Sequence, residues 1–139
     1  MVVMNKLLII LFFSINVFSQ NNETGSLVGK WNVIDVSIGT PIQGKQDEIQ
    51  MAKMFLNATL DFKSNNSFEL NMKSSNPFAK ELKEMTKGTK WKFITKSNMI
   101  MIGNKEDNYS IIGIQYLKNE KGQFFKLLES GIMLKVEKS

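Results

Sequence analysis

Carboxylates, lysines, two tyrosines and hydroxyls are the main groups available for chemistry in this chain, because it contains no His, no Cys and no Arg. A general base poised near neutral pH, an imidazole metal ligand, a thiolate nucleophile and a guanidinium clamp are therefore all missing. Among the carboxylates, Asp35 stands out because it sits between Ile34 and Val36 in an apolar run, and Glu129 because it follows Leu128 just before a turn. Single carboxylates in strands are far more often solvated or paired with Lys than catalytic. Lys105-Glu106-Asp107-Asn108 is acidic but lacks the alternating ligand spacing of a calcium loop. The expectation is a protein that is not an enzyme, without a cofactor and without a metal site.

The aromatic residues offer a different chemistry, that of an apolar pocket. Phe62, Phe68, Leu70, Trp91, Phe93, Ile114 and Tyr116 each fall on the more apolar face of an alternating segment. They form the candidate ligand-binding set. The competing reading is plain core, since a domain of this size needs that much apolar volume.

Charge excludes one large class of partner. The 18 Lys are interspersed with 13 acids along the whole chain, whereas nucleic-acid binders cluster their charge and use Arg for bidentate contacts. Nucleic acid is not an expected partner.

The elements that must position these residues begin after a targeting segment. Lys6 gives a positive n-region, Leu7 to Phe13 an apolar core, and Val17-Phe18-Ser19 a small-residue pattern before a cleavage site after Ser19. Ser14 and Asn16 interrupt the apolar run, which falls short of the ~20 residues of a spanning helix. Without Cys there is no lipidated N-terminus, so the mature chain is expected in the periplasm or secreted, with no membrane span. Removing Met1 to Ser19 from 139 residues at +5 leaves 120 at +4, the size of one domain. Residues 20–26 are polar and expected to be a flexible lead, and 27–139 the folded domain.

Val28 to Ile38 alternates, with Trp31, Val33 and Asp35 on one face and Asn32, Ile34, Val36 and Ile38 on the other. Both faces carry apolar residues. Beyond Gly39, Pro41 and Gly44 the period changes: Ile49, Ala52, Phe55 and Leu56 fall on one side of a helix over Lys45 to Asn57, widened by Met51 and Met54. Thr59 to Lys73 reads as a hairpin around Ser64-Asn65-Asn66, apolar on one face only, the mark of an antiparallel sheet. Asn76-Pro77 is an N-cap followed by a first-turn proline, and Phe78, Leu82 and Met85 give a second helical face that Gly88 ends. Strands follow at Gly88 to Thr95, Met99 to Ile102, Tyr109 to Leu117, Gln123 to Leu128 and Ile132 to Val136. Eight strands with tight turns and no βαβ spacing predict an all-β, up-and-down antiparallel barrel with two short inserted helices.

Gly29-Lys30-Trp31 on the first strand resembles a lipocalin-type Gly-x-Trp signature. With Leu27-Val28, Leu60-Asp61-Phe62, Asn66-Ser67-Phe68 and Gly88-Thr89-Lys90-Trp91, the chain from about Leu27 onward is similar to the small lipocalin-like domain proteins that Bacteroidetes-type bacteria export. The resemblance implies that Gly29 and Trp31 close the bottom of a barrel. The late-strand Arg that such proteins pack over this Trp has no counterpart here; Lys135 is the substitute cation. It also implies a noncatalytic barrel holding a small hydrophobic ligand, with its mouth near the 45–57 helix. The alternative is a solid-core module that meets a protein partner in the cell envelope through the Met51, Met54, Phe55 stripe of that helix.

Overall fold

The computed structural model describes residues 25–39 and 46–139. The targeting segment lies outside the described residues, as do most of the polar lead and the Pro41 to Gly44 punctuation. Gly25 and Ser26, read as part of a flexible lead, stand in a helical turn with Leu27, and the turn is tied back by Val28 N donating to Gly25 O at 3.3 Å.

Eight strands follow: β1 (Gly29–Ile38), β2 (Thr59–Phe62), β3 (Phe68–Asn71), β4 (Lys90–Ile94), β5 (Met99–Gly103), β6 (Ile112–Asn119), β7 (Gly122–Leu127) and β8 (Ile132–Lys138). Two helices are inserted, α1 (Gln46–Met54) after β1 and α2 (Pro77–Thr86) after β3. The sheet runs β3-β2-β1-β8-β7-β6-β5-β4 and every neighbouring pair is antiparallel. It is thus a meander whose first strand is also paired with its last. The outer strands meet at one bridge, Ser67 to Lys90, held by Phe68 N to Thr89 O at 3.0 Å and Trp91 N to Asn66 O at 2.9 Å. The result is a nearly closed eight-stranded barrel, and closure largely removes the exposed edges of an open sheet.

The turns use the residues that tolerate left-handed backbone. Asn66 and Asn98 have φ of 68° and 53° in the β2–β3 and β4–β5 turns, and Asn119 pairs with Gly122 across a two-residue β6–β7 turn. Asn108 and Tyr109 also have positive φ, so Tyr109 belongs to the β5–β6 loop and the strand predicted from Tyr109 begins at Ile112.

The first strand departs from simple alternation for a physical reason. Val33 faces Val136 and Asp35 faces Lys135, so Ile34 is an extra residue, a β-bulge. The bulge reverses the phase. Val36 and Ile38, expected opposite Trp31 and Val33, turn to the core side, while Ile34 and Asp35 are exposed. The apolar residues on both faces of this strand therefore record a phase change, not a strand covered on both sides. Asp35 spends its Oδ1 accepting from Val36 N at 2.9 Å.

Chain parity separates the two ends of the barrel. Connections after even-numbered strands are short turns at one end, together with the start of β1 and the end of β8. Connections after odd-numbered strands lie at the other, and these are α1, α2, the β5–β6 loop and the β7–β8 turn.

Candidate ligand-binding site

The turn end is filled by aromatic side chains. Phe62 packs on Phe68, Trp91 and Phe125 at ring-centroid distances of 5.2, 5.3 and 5.8 Å, and Trp31 packs on Phe125 at 5.3 Å and Tyr116 at 6.2 Å. Tilted and edge-on pairs of this kind each contribute about 0.5–1.5 kcal/mol beyond area burial. The indole N–H groups are satisfied within the same end: Trp31 Nε1 donates to Leu27 O at 2.8 Å and Trp91 Nε1 to Lys63 O at 3.0 Å. Of the expected ligand-binding set, Phe62, Phe68, Leu70, Trp91 and Ile114 are buried in the core, and Phe93 and Tyr116 are half-buried against it. The structure brings Phe62, Phe68, Trp91 and Tyr116 together, but as mutual packing partners or neighbours of Phe125.

Gly29 and Trp31 sit at this end with a lysine over them, and the lysine is Lys138, not Lys135. Lys138 Nζ lies 5.8 Å from the Trp31 ring centroid and donates to Ser26 O at 2.8 Å. Strand parity explains the substitution: Leu134 and Val136 are buried, so Lys135 between them points outward, and Lys138 shares the inward phase. Gly29 has φ +129°, and a Cβ there would stand 2.8 Å from Lys138 Cε. The lysine end can move aside, but the positive φ favours Gly whatever the space.

The helix end is different. There a half-open cavity of about 450 Å³ lies between the helices and the barrel rim, within the ~300–1,000 Å³ of small-molecule sites. None of the seven expected ligand residues lines it. Met51, Met54 and Phe55 come from α1 and the turn after it, Phe78, Leu82 and Met85 from α2, and Ile112, Leu127 and Ile132 from strand ends. Residues from the outward phase, Met101 and Leu128, also contribute, so the cavity sits at the rim of the mouth and not down the barrel axis. Gly113 lines it as well, and a Cβ there would meet Leu128 Cδ1 at 2.7 Å.

Each helix is oriented by what its local sequence permits. Asn76 Oδ1 accepts from Phe78 N at 2.9 Å, capping α2 ahead of Pro77. At its other end Thr86 Oγ1 donates to Leu82 O at 2.9 Å and Thr89 Oγ1 to Thr86 O at 2.6 Å, which satisfies two buried hydroxyls. The face α2 buries is Ala79 and Thr86, with Leu82 half-buried. Phe78 and Met85, expected on the buried face, are 45% and 50% exposed and flank the cavity. In α1 the buried face centres on Met51, Ala52 and Met54, and Ile49 turns outward. The helix stops at Met54 and Asn57 has φ +66°, so Leu56 leaves the expected helical phase and is exposed. Met54 and Phe55, expected to meet a protein partner, are only 3% and 4% exposed.

The polar lining is sparse. Ser110 and Ser130 donate their hydroxyls to backbone carbonyls, of Asp107 and Leu127 respectively. Glu81 and Glu129 are exposed and are the only ionisable side chains among the described lining residues. The one ion pair among the described residues, Lys63 to Glu69, does not involve either of them. Asp107 lies in the adjacent loop and accepts from Asn104 N and Ser110 N at 3.0 and 3.1 Å.

The chain matches no family model, no curated protein and no solved structure. The cavity's own chemistry thus carries the functional reading. Among the described residues no helix is long and apolar enough to cross a membrane.

Proposed function

We propose that this protein is an exported, noncatalytic, lipocalin-like barrel that binds one small hydrophobic ligand between its two helices and the barrel mouth. The observation that carries the reading is the cavity of about 450 Å³ walled by Met, Phe, Leu and Ile side chains. Apolar walls with few polar groups suit an apolar ligand, and methionines adapt to ligands of varied shape. At the aromatic end the rings of Phe62, Phe68, Trp91 and Phe125 pack on one another. A protein partner on α1 finds less support, since Met54 and Phe55 face inward.

Fluorescence titration with the uncharged dye N-phenyl-1-naphthylamine tests the reading. The expected result is saturable binding at one dye per chain, weakened at least about tenfold by Leu82→Trp, which fills the cavity from α2. Circular dichroism and thermal unfolding of the variant check that the fold persists. Binding that is unsaturable, or unchanged in a folded Leu82→Trp protein, would overturn it.

A further inference from the structure

The ligand's charge follows from the lining, granted the cavity reading above. We infer that the preferred ligand is an amphiphile with a protonated amine, not a carboxylate, at its polar end. The chain as a whole is basic, at +5, and its distant field favours anions. Yet the cavity is lined locally by two carboxylates, Glu81 from α2 and Glu129 from the β7–β8 turn, and by no lysine among the described residues. Both are exposed while Met54, Phe55 and Ile132 of the same lining are buried, so an apolar chain seated among Met51, Met54 and Ile112 leaves its head group towards the exposed rim that carries these oxygens. The serine hydroxyls of Ser110 and Ser130 are engaged with backbone carbonyls. Hydrogen-bond acceptors thus outnumber free donors at this mouth, and an ammonium, which only donates, is the complementary group. A fatty-acid carboxylate would bring a third like charge to the same rim.

Because the carboxylates are exposed, each contributes modestly, up to about fivefold in a dissociation constant. Attraction of an amine and repulsion of an acid together predict a preference of about tenfold at low salt. Decylamine, decanol and decanoate share one chain length and differ in charge at neutral pH, since an alkyl amine titrates near the Lys value and an alkyl acid near the Glu value.

Each is used below its micellar concentration to displace N-phenyl-1-naphthylamine from the full chain. The expected order of affinity is amine, alcohol, acid, with the amine about tenfold tighter than the acid. That ratio is expected to fall towards one in Glu81→Gln/Glu129→Gln and to shrink in 0.5 M salt as screening tightens. Glu120→Gln, in the turn at the opposite end, leaves it unchanged. Equal affinities, a tighter acid, or a preference that survives the double substitution would overturn the charge inference while leaving the cavity reading intact. Failure of all three to displace a bound dye, or of the dye to bind, overturns both.

Discussion

One barrel carries two unlike ends. At the turn end, six aromatic rings from six strands pack against one another around Phe62 and Phe125, and the chain reverses in short loops. At the helix end two of the connections carry the helices α1 and α2, and Phe78 and Met85 stay half-exposed beside a cavity. Ring-on-ring packing at one end supplies stability, and the cavity at the other supplies room. The same chain thus separates the residues that hold the fold from those that can meet a ligand.

The sharpest way to break the comparison is to truncate one large side chain at each end. Phe62→Ala removes the partner of three aromatic side chains and is expected to destabilise by about 3–5 kcal/mol, read by urea unfolding. Met85→Ala, half-exposed at the other end, is expected to cost less than about 1 kcal/mol and to alter dye affinity instead. Equal losses of stability would dissolve the distinction.

A second test addresses how the turn end is closed. Gly29→Ala meets both a positive φ and Lys138, and is expected to cost about 1–3 kcal/mol. Lys138 Cε is the far end of a flexible side chain that can swing aside, so the backbone strain is expected to carry the cost, and adding Lys138→Ala, which also removes the bond to Ser26 O, is expected to give no recovery by thermal unfolding. At the helix end, Asn76→Ala removes the α2 cap and is expected to cost about 1 kcal/mol. It should also weaken dye binding, because α2 forms one wall of the cavity.

The smallest expected effect is at the exposed Lys63–Glu69 pair, 3.0 Å apart. A hydrogen bond with Glu69 and the charge of the same carboxylate hold the Lys63 amine above its ordinary value of 10.5. A raised lysine contributes stability that is fully present below its ordinary value and is lost as pH rises through the raised one. Glu69→Gln should therefore lower stability slightly at neutral pH, and the difference from the parent chain should vanish as pH rises from 8 to 12, measured by unfolding. The difference should fade in high salt.

Much of this architecture is legible in the residues themselves. Leu60 and Phe62 alternating with Thr59 and Asp61, and Phe68 and Leu70 with Glu69 and Asn71, place a hairpin that is observed in register, Leu60 opposite Leu70. Asn76-Pro77 announces a helix start, and α2 begins at Pro77 with Asn76 as its cap. Alternation cannot reveal an inserted residue, which is why Ile34 hid the phase change in β1 and made both its faces look covered. It cannot separate packed from ligand-facing aromatics either, since Trp91 in a filled end and a residue lining a void have the same period. The signal for the cavity was topological: both inserted segments follow odd-numbered strands, so both must cap the same end. Glu129 is visible in the sequence as an acid beside Leu128, but its place on the cavity rim depends on the turn that precedes β8.

Methionine methyl groups report on the two ends directly, since Met51, Met54, Met85 and Met101 line the cavity and Met99 lies beside the β4–β5 turn at the other end. Methyl NMR of the ¹³C-methionine-labelled chain, titrated with decanol, is the most direct measurement. Ligand binding at the helix end predicts saturable shifts at those four methyls with Met99 unmoved. Saturable shifts centred on Met99, or a spectrum that does not respond, would contradict the assignment of binding to the helix-capped mouth.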